Sequence, residues 1–264
     1  MAKFGIALGS GPRGLGFESR HSDQKSIGNE PFPMLFSFRC PHCRLYLKVV
    51  LFVSRDQSAV SYWNTLHSRY DRESIQYDLW LQQFEPVIQQ CRTPIIDLGC
   101  GSGNDTKYLI ERGKRVIACD YSHQAVEQIR RNFPEVEQAM CFDMTGGLPF
   151  EDQFTDLIIA DLSLHYFTEN TTKFVLREIR RVLTPKGVLL LRVNALNDIH
   201  YGAGCGAEIE PHYYLTPDGR RKRFFDSDDI RRIFDEWNFL HLSQDQITRY
   251  GPPKELWTAM CKAK

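Results

Sequence analysis

The sequence predicts an α/β fold: a doubly wound, seven-stranded, mostly parallel sheet with helices on both faces and an antiparallel strand pair at its C-terminal end. Three observations predict it. Between Pro94 and Val193, short apolar runs alternate with longer segments whose apolar residues recur every three or four positions. Strands alternating with helices imply right-handed crossovers and a parallel sheet. The run Asp156-Leu157-Ile158-Ile159-Ala160 is nearly all apolar, as a strand covered on both faces must be. Finally, Leu240 to Ile247 and Leu256 to Cys261 flank Gly251-Pro252-Pro253, the pattern of a closing antiparallel pair.

The elements follow in order. Tyr62, Trp63 and Tyr70, then Leu79, Trp80, Phe84, Val87 and Ile88, stripe helices that lead into the domain. Pro94 to Leu98 is the first strand, Asp105 to Arg112 a helix closed by Gly113, and Arg115 to Cys119 the second strand. Ser122 caps a helix running through Phe133 and ended by Pro134, and Val136 to Phe142 is a short strand. After Asp156 to Ala160, the residues Phe174, Val175, Ile179, Val182 and Leu183 stripe a helix stopped by Pro185 and Gly187, and Val188 to Val193 is the fifth strand. Ile230, Ile233, Phe234 and Trp237 mark one more helix before the closing pair.

A chain of 264 residues is enough for one large domain with an appendage, at about 150 residues per domain. The 42% hydrophobic and 25% charged content exclude fibrous, coiled-coil and fully disordered classes. Lys plus Arg equal Asp plus Glu at 33 each, so no global basic field draws the chain to nucleic acid or an anionic membrane. The longest apolar tract, Leu45 to Val53, falls short of the roughly 20 residues of a spanning helix and is interrupted by Lys48. No signal sequence is evident, and most cysteines are scattered singly, so the expectation is a cytoplasmic protein with reduced thiols.

Residues 1–57 read as a poorly ordered leader, glycine-crowded at its start and without sustained periodicity before Leu45. Gly16 to His21 resembles an in-frame translation of a bacterial tRNA gene, which suggests an upstream mis-assigned start; N-terminal mass analysis of native protein tests this. Cys40 and Cys43 have zinc-ligand spacing, but a tetrahedral site needs two more ligands and the chain has no second such pair, so incidental cysteines are the simpler reading. The domain proper is expected over 58–264, with 195–226 a substrate-side insertion.

The chemistry concentrates in Asp97-Leu98-Gly99-Cys100-Gly101-Ser102-Gly103-Asn104-Asp105, between the first strand and its helix. Alternating glycines let the backbone turn tightly against a ligand, and the helix start favours a carboxylate or phosphate. Asp120, ending the second strand about 20 residues on, is placed to accept from both hydroxyls of a ribose. Asn104 stands where a dinucleotide fingerprint carries its third glycine, which disfavours a pyrophosphate and with it a nicotinamide oxidoreductase.

In these stretches, with Val116 to Tyr121, Asp143-Met144 and Asp161 to Tyr166, the sequence resembles the class I S-adenosylmethionine-dependent methyltransferases over roughly Tyr62 to Lys264. The resemblance implies a Rossmann-like domain with S-adenosyl-L-methionine as cofactor. It puts Gly99, Gly101 and Gly103 against the methionine and ribose, with Asp97 near the amino group. Asp120 would bind the ribose hydroxyls, Tyr121 flank the adenine, and Asp143 and Met144 meet the adenine edge. Asp161 and Leu162 would border the methionine and the transferred methyl. Asp143 and Asp161 also fit helix caps or loop acids.

Methyl transfer needs alignment and exclusion of water, and a base where the acceptor carries a proton. His165, with Tyr166, follows the fourth strand and is the catalytic candidate; packing or acceptor-shaping is the alternative for both. The Asn/Asp-Pro-Pro-Tyr sequence of many exocyclic-amine and amide methyltransferases is missing here. The insertion contributes Tyr201, Glu208, Glu210, His212, Tyr213 and Tyr214, either as an acceptor lid or as an ordered surface loop. Arg220-Arg221-Lys222-Arg223 is the one compact basic run, suited to phosphates if RNA is the substrate but ordinarily a solvated face. The expectation is transfer to a small molecule, without metal, membrane or nucleic acid; an RNA methyltransferase or a non-catalytic cofactor-binding protein are the alternatives. The oligomeric state is not legible.

Overall fold

A computed structural model describes residues 32–39 and 46–53 by their backbone, and residues 62–64, 75 and 77–264 in full. Cys40, Cys43 and most of the expected leader lie outside the described residues. Inside that leader, β1 (Phe32–Arg39) and β2 (Tyr46–Val53) pair antiparallel, with Phe32 opposite Val53. The first of these precedes Leu45, where no periodicity was expected. Its signal was Phe32, Met34, Phe36 and Phe38, an alternation with period two.

A short 3-10 turn, Trp80–Phe84, leads into α1 (Glu85–Gln90), whose Pro86 sits in the first turn, where a missing N–H costs nothing. There follow β3 (Ile95–Leu98), α2 (Asn104–Ile110), β4 (Val116–Asp120), α3 (His123–Asn132), β5 (Gln138–Cys141), β6 (Thr155–Asp161), α4 (Glu169–Val182) and β7 (Leu183–Asn194). The Ser122 hydroxyl accepts from Ala125 N at 3.2 Å and so caps α3 as expected. The remainder is β8 (Ala207–Glu210), β9 (Tyr213–Leu215), β10 (Arg221–Arg223), α5 (Ser227–Ile233), β11 (Trp237–Ile247) and β12 (Lys254–Ala263).

The main sheet has seven strands in the order β11-β12-β7-β6-β3-β4-β5. β3 to β7 run parallel; β12 is antiparallel to both β7 and β11. The expected architecture is therefore observed. The chain winds outward from β3 to β5, crosses back to β6 beside β3, and winds out the other way. That reversal opens a crevice at the carboxyl ends of β3 and β6, the place where such sheets bind ligands.

Alternate residues of β6 explain its apolar run. Ile158 and Ala160 pack with Val175, Leu176 and Ile179 of α4 and Ile230 and Ile233 of α5. Leu157 and Ile159 pack on the other face with Trp80, Leu81, Phe84 and Ile88, and with Tyr108 and Leu109 of α2. Full burial of such a side chain is worth about 1.5–3 kcal/mol, so both layers press β6 and its C-terminal loop into place.

One local expectation is corrected. Trp237 is not on the last helix: α5 stops at Ile233, Phe234 closes it through Ile230 O, and Trp237 opens β11. The insertion expected over 195–226 has strands of its own. Within it, β8, β9 and β10 form an antiparallel three-stranded sheet in the order β10-β9-β8.

Candidate functional site

At the carboxyl end of β3 the chain turns through Gly99, Gly101 and Gly103 with φ of 85°, 51° and 90°. A side chain at two of these positions has no room. A Cβ on Gly99 would lie 2.4 Å from the Ser163 Cβ, and one on Gly103 would lie 2.6 Å from the Phe133 ring. The glycines are thus required by left-handed backbone and by the close approach of α3 and the β6 loop.

Asp120, last in β4, is held by this turn: Gly101 N donates to its Oδ2 and Ser122 N to its Oδ1, each at 2.8 Å. It remains half-exposed at the crevice with Tyr121 after it. The Ser122 hydroxyl in turn donates to Asn64 Oδ1 at 2.6 Å, so Asn64, near the start of the domain, lies against the N-terminus of α3. Asp143, beyond β5, is exposed and accepts from Thr145 N and Oγ1 at 2.8 and 2.7 Å, capping a short turn that buries Met144.

Deeper, acids crowd around one arginine. Asp97 accepts from the Thr106 hydroxyl at 2.6 Å, and burial, with Asp161 and Asp120 nearby, pushes its carboxyl up to about 7. Asp105 accepts from Trp80 Nε1 at 3.0 Å; burial, Asp161 and Asp97 raise it well above the usual carboxylate range. Arg192, on β7 and 1% exposed, donates to both oxygens of Asp161 at 2.6 and 2.8 Å and to Asp78 at 2.9 Å. Its guanidinium lies 4.7 Å from the Trp80 ring centroid. Burial opposes that charge, but Asp161, Asp78 and Asp105 outweigh it and hold the guanidinium above its ordinary range. Leu162, just past Asp161, has a φ of 51°, a left-handed conformation costly for a leucine and characteristic of functional loops.

On the other side of the β6 end, His165 is 2% exposed and its Nδ1 has no hydrogen-bond partner. Burial, then Lys254, Lys222 and Arg220, hold it well below the usual histidine range, so the ring is neutral at pH 7. Tyr166 packs on it, with ring centroids 4.3 Å apart, and edge-on to Trp63 at 5.2 Å. The Tyr166 carbonyl accepts from Tyr213 OH at 2.8 Å, tying the insertion to this loop, and burial pushes the Tyr166 phenol up.

The basic run expected as a solvated face turns inward. Only Arg221 is exposed; Lys222 and Arg223 are buried and Arg220 is half-buried. Adjacent strand residues point to opposite faces, so Lys222 and Arg223 are buried on different sides: Lys222 donates to the Tyr201 carbonyl and Arg223 to the Pro211 carbonyl and to Glu210. Glu208 spends an oxygen on His212 N at 2.8 Å, and Glu210 accepts from Glu169 N at 2.9 Å and pairs with Arg223, so both knit the insertion together.

The structure thus gathers the glycines, Asp97, Asp120 and Asp161 at the carboxyl ends of β3, β4 and β6; His165 and Tyr166 follow in the turn after β6, and Asp143 caps an exposed turn after β5. Sequence reasoning missed Asp78, Arg192 and Lys254. Arg192 had a signal, a lone charge inside an apolar strand, Leu189-Leu190-Leu191-Arg192-Val193. Asp78 and Lys254 had none, since only folding brings them in.

A profile described as a methyltransferase domain matches residues 96–191. The chain is 28% identical over 199 residues to a malonyl-[acyl-carrier protein] O-methyltransferase of Halorhodospira halophila, a match covering 71% of this chain and 64% of that one. It is also 28% identical over 152 residues to a tRNA N(3)-cytidine methyltransferase of Danio rerio, covering 53% and 43% respectively. The chain therefore spans less than two thirds of the length of these curated relatives. Among solved structures, a SAM-dependent methyltransferase from Methanosarcina mazei superposes with a TM-score of 0.58 at 18% identity, over 67% of this chain and 97% of that one, a likeness of fold.

Proposed function

We propose that residues 96–191, which match a methyltransferase-domain profile, belong to a class I, S-adenosylmethionine-dependent domain, and that the chain is an enzyme transferring the methyl group of S-adenosylmethionine to a small-molecule acceptor. The observation that carries this reading is the crowding of acid beside the glycine turn: Asp97 and Asp105 are buried, Asp120 and Asp161 are half-buried beside them, and Arg192 pairs with Asp161. Such a site calls for a cationic ligand, and this cofactor carries an ammonium and a sulfonium. A nicotinamide dinucleotide would bring a pyrophosphate against the same acids and be repelled.

The residues fit the cofactor as follows. Asp120, preset by Gly101 N and Ser122 N, accepts from the ribose hydroxyls, with Tyr121 along the adenine. Asp143 and Met144 meet the adenine edge, the Asp143 carboxylate having one oxygen not used by its cap. Asp97 takes the amino group, Gly99, Gly101 and Gly103 give the backbone its close approach, and Asp161 and Leu162 border the methionine. Bound there, the cofactor supplies a methyl group on a positively charged sulfur, a good leaving group once neutral.

The protein's own part is to position the acceptor, exclude water and take a proton. His165 takes it: the ring is neutral, lies beyond β6, and has a free Nδ1. Tyr166 serves as a wall, since its phenol stays protonated at neutral pH. Against an RNA acceptor stands the inward turn of the basic run; against a non-catalytic binder stands a buried histidine whose Nδ1 has no hydrogen-bond partner. A cytoplasmic location belongs to the same proposal, supported by buried, unpaired Cys91, Cys100, Cys119 and Cys261. Among the described residues no helix is long and apolar enough to cross a membrane.

The test is calorimetric titration of S-adenosylmethionine and, separately, NADH. Binding of the first alone is expected. Binding of NADH alone, or of neither by folded protein, overturns the proposal.

A further inference from the structure

We propose that the acceptor is a small anion, held through a carboxylate by Lys222, Arg220 and Lys254 around His165. This rests on the reading of the β6 end as the acceptor side of a methyltransferase and names the acceptor's chemistry.

The geometry is that of a buried cation cluster short of one counter-charge. Arg220 pairs with Asp218, its Nε at 2.8 Å from Oδ2. Lys254, 6% exposed, pairs with Asp198 at 2.6 Å and donates to Asn194 Oδ1 at 2.8 Å. Lys222, 5% exposed, donates to the Tyr201 carbonyl at 3.1 Å, and its nearest carboxylate oxygen is on the already paired Asp218 at 3.7 Å. Three cations thus face two carboxylates. Tyr201 joins the two lysines, since Lys254 Nζ lies 4.6 Å from its ring centroid while Lys222 holds its carbonyl. The Tyr62 ring lies 4.9 Å from the Arg220 guanidinium carbon.

A buried positive charge without a partner is costly, and the strain shows in the groups that carry it. Burial, Arg220 and Lys254 press the Lys222 ammonium down to about 8, and Lys254 is lowered as well. The charged groups bearing on His165 are all three of these cations. One carboxylate in their midst would balance the count, favour both ammonium groups, and leave the His165 Nδ1 free for the acceptor's proton. A polynucleotide meets cations on an open face, and of the four in the run only Arg221 is exposed. The tyrosines beside the cations suit a compact organic acid instead.

The test uses the full chain saturated with S-adenosylhomocysteine, titrated by calorimetry with benzoate and with benzamide, which share a shape but not a charge. Benzoate is expected to bind about tenfold or more tighter than benzamide. Lys222→Met should abolish the difference, and Lys222→Arg should retain it. S-adenosylmethionine affinity, measured in parallel, should be equal in wild type and Lys222→Met, which shows that the variant is folded. Equal binding of the two probes, binding of neither, or a preference that survives Lys222→Met overturns the inference, as does a short RNA hairpin that binds where benzoate does not. Loss of S-adenosylmethionine binding by the wild type strikes instead at the methyltransferase reading, and the inference falls with it.

Discussion

On the glycine-turn side of the crevice, Asp97, Asp105, Asp120 and Asp161 crowd together and Arg192 pairs with Asp161 and Asp78, whereas on the insertion side Lys222, Arg220 and Lys254 converge on Asp218 and Asp198. One loop, from Asp161 to Tyr166, separates the two. Each side is crowded with ionisable groups of one kind, acids whose burial disfavours their charge on the first and cations on the second. A site with this polarity is complementary to a cationic methyl donor and an anionic acceptor, and brings them together by mutual attraction once both are bound. The difference also teaches how such sites are encoded. The acidic side is built by residues close to their strand ends in sequence, and the basic side by residues from β10 and β12 that only tertiary structure assembles.

The largest expected effect lies at the boundary. His165→Gln keeps a polar ring-sized group but removes the base, and the rate of S-adenosylhomocysteine release should fall about 10²–10⁴-fold with cofactor affinity unchanged. A rate within a few-fold of wild type would leave His165 a packing residue.

Arg192→Met sharpens the comparison from the acidic side. It strands Asp161 without its counter-ion and leaves Asp78 only the longer contact with Arg249 at 3.7 Å, and chemical denaturation should show a loss of about 3–5 kcal/mol. A neutral result would mean that the acids relax to solvent and are not a fixed cluster.

Asp120→Ala should weaken S-adenosylmethionine by about 1.5–3 kcal/mol, the worth of a charge-assisted hydrogen bond, with little change in the rate at saturation. Unchanged affinity would remove Asp120 from the ribose site. The smallest effect is the control outside the crevice. Arg231→Ala breaks an exposed pair with Asp228 at 2.7 Å and should cost under about 0.5 kcal/mol.

Much of the fold was legible because its signals are local. The apolar run of β6, the Ser122 cap and the Pro-Gly punctuation after α4 each lie within a few residues of the feature they specify. The positive φ of Gly99, Gly101 and Gly103 was legible for the same reason. The insertion was not. Its strands are three or four residues long, too short for alternation to declare itself, and their burial depends on Tyr213 reaching Tyr166. Arg220 to Arg223 likewise looked like a surface run because charge composition does not reveal that both sides of a strand are covered, as Lys222 and Arg223 are. The Arg192 to Asp78 bridge spans more than a hundred residues, and no pattern in either segment announces it.

The central claim, that buried acid holds a cationic cofactor, has a direct thermodynamic signature in protons. The Asp97 carboxyl lies at about 7 in the folded protein, above its unfolded value, so the folded chain holds more protons than the unfolded one between those values. Its contribution to stability is accordingly lost as pH rises from about 4 through about 7. A cation placed beside it lowers that pKa and expels the proton, so cofactor affinity should rise over the same interval. The measurement is calorimetric titration of S-adenosylmethionine near about pH 6 in phosphate and in imidazole, buffers that differ in ionisation enthalpy. The account predicts binding with a heat that differs between the buffers by the sign of proton release. Binding with the same heat in both, or proton uptake, would contradict it.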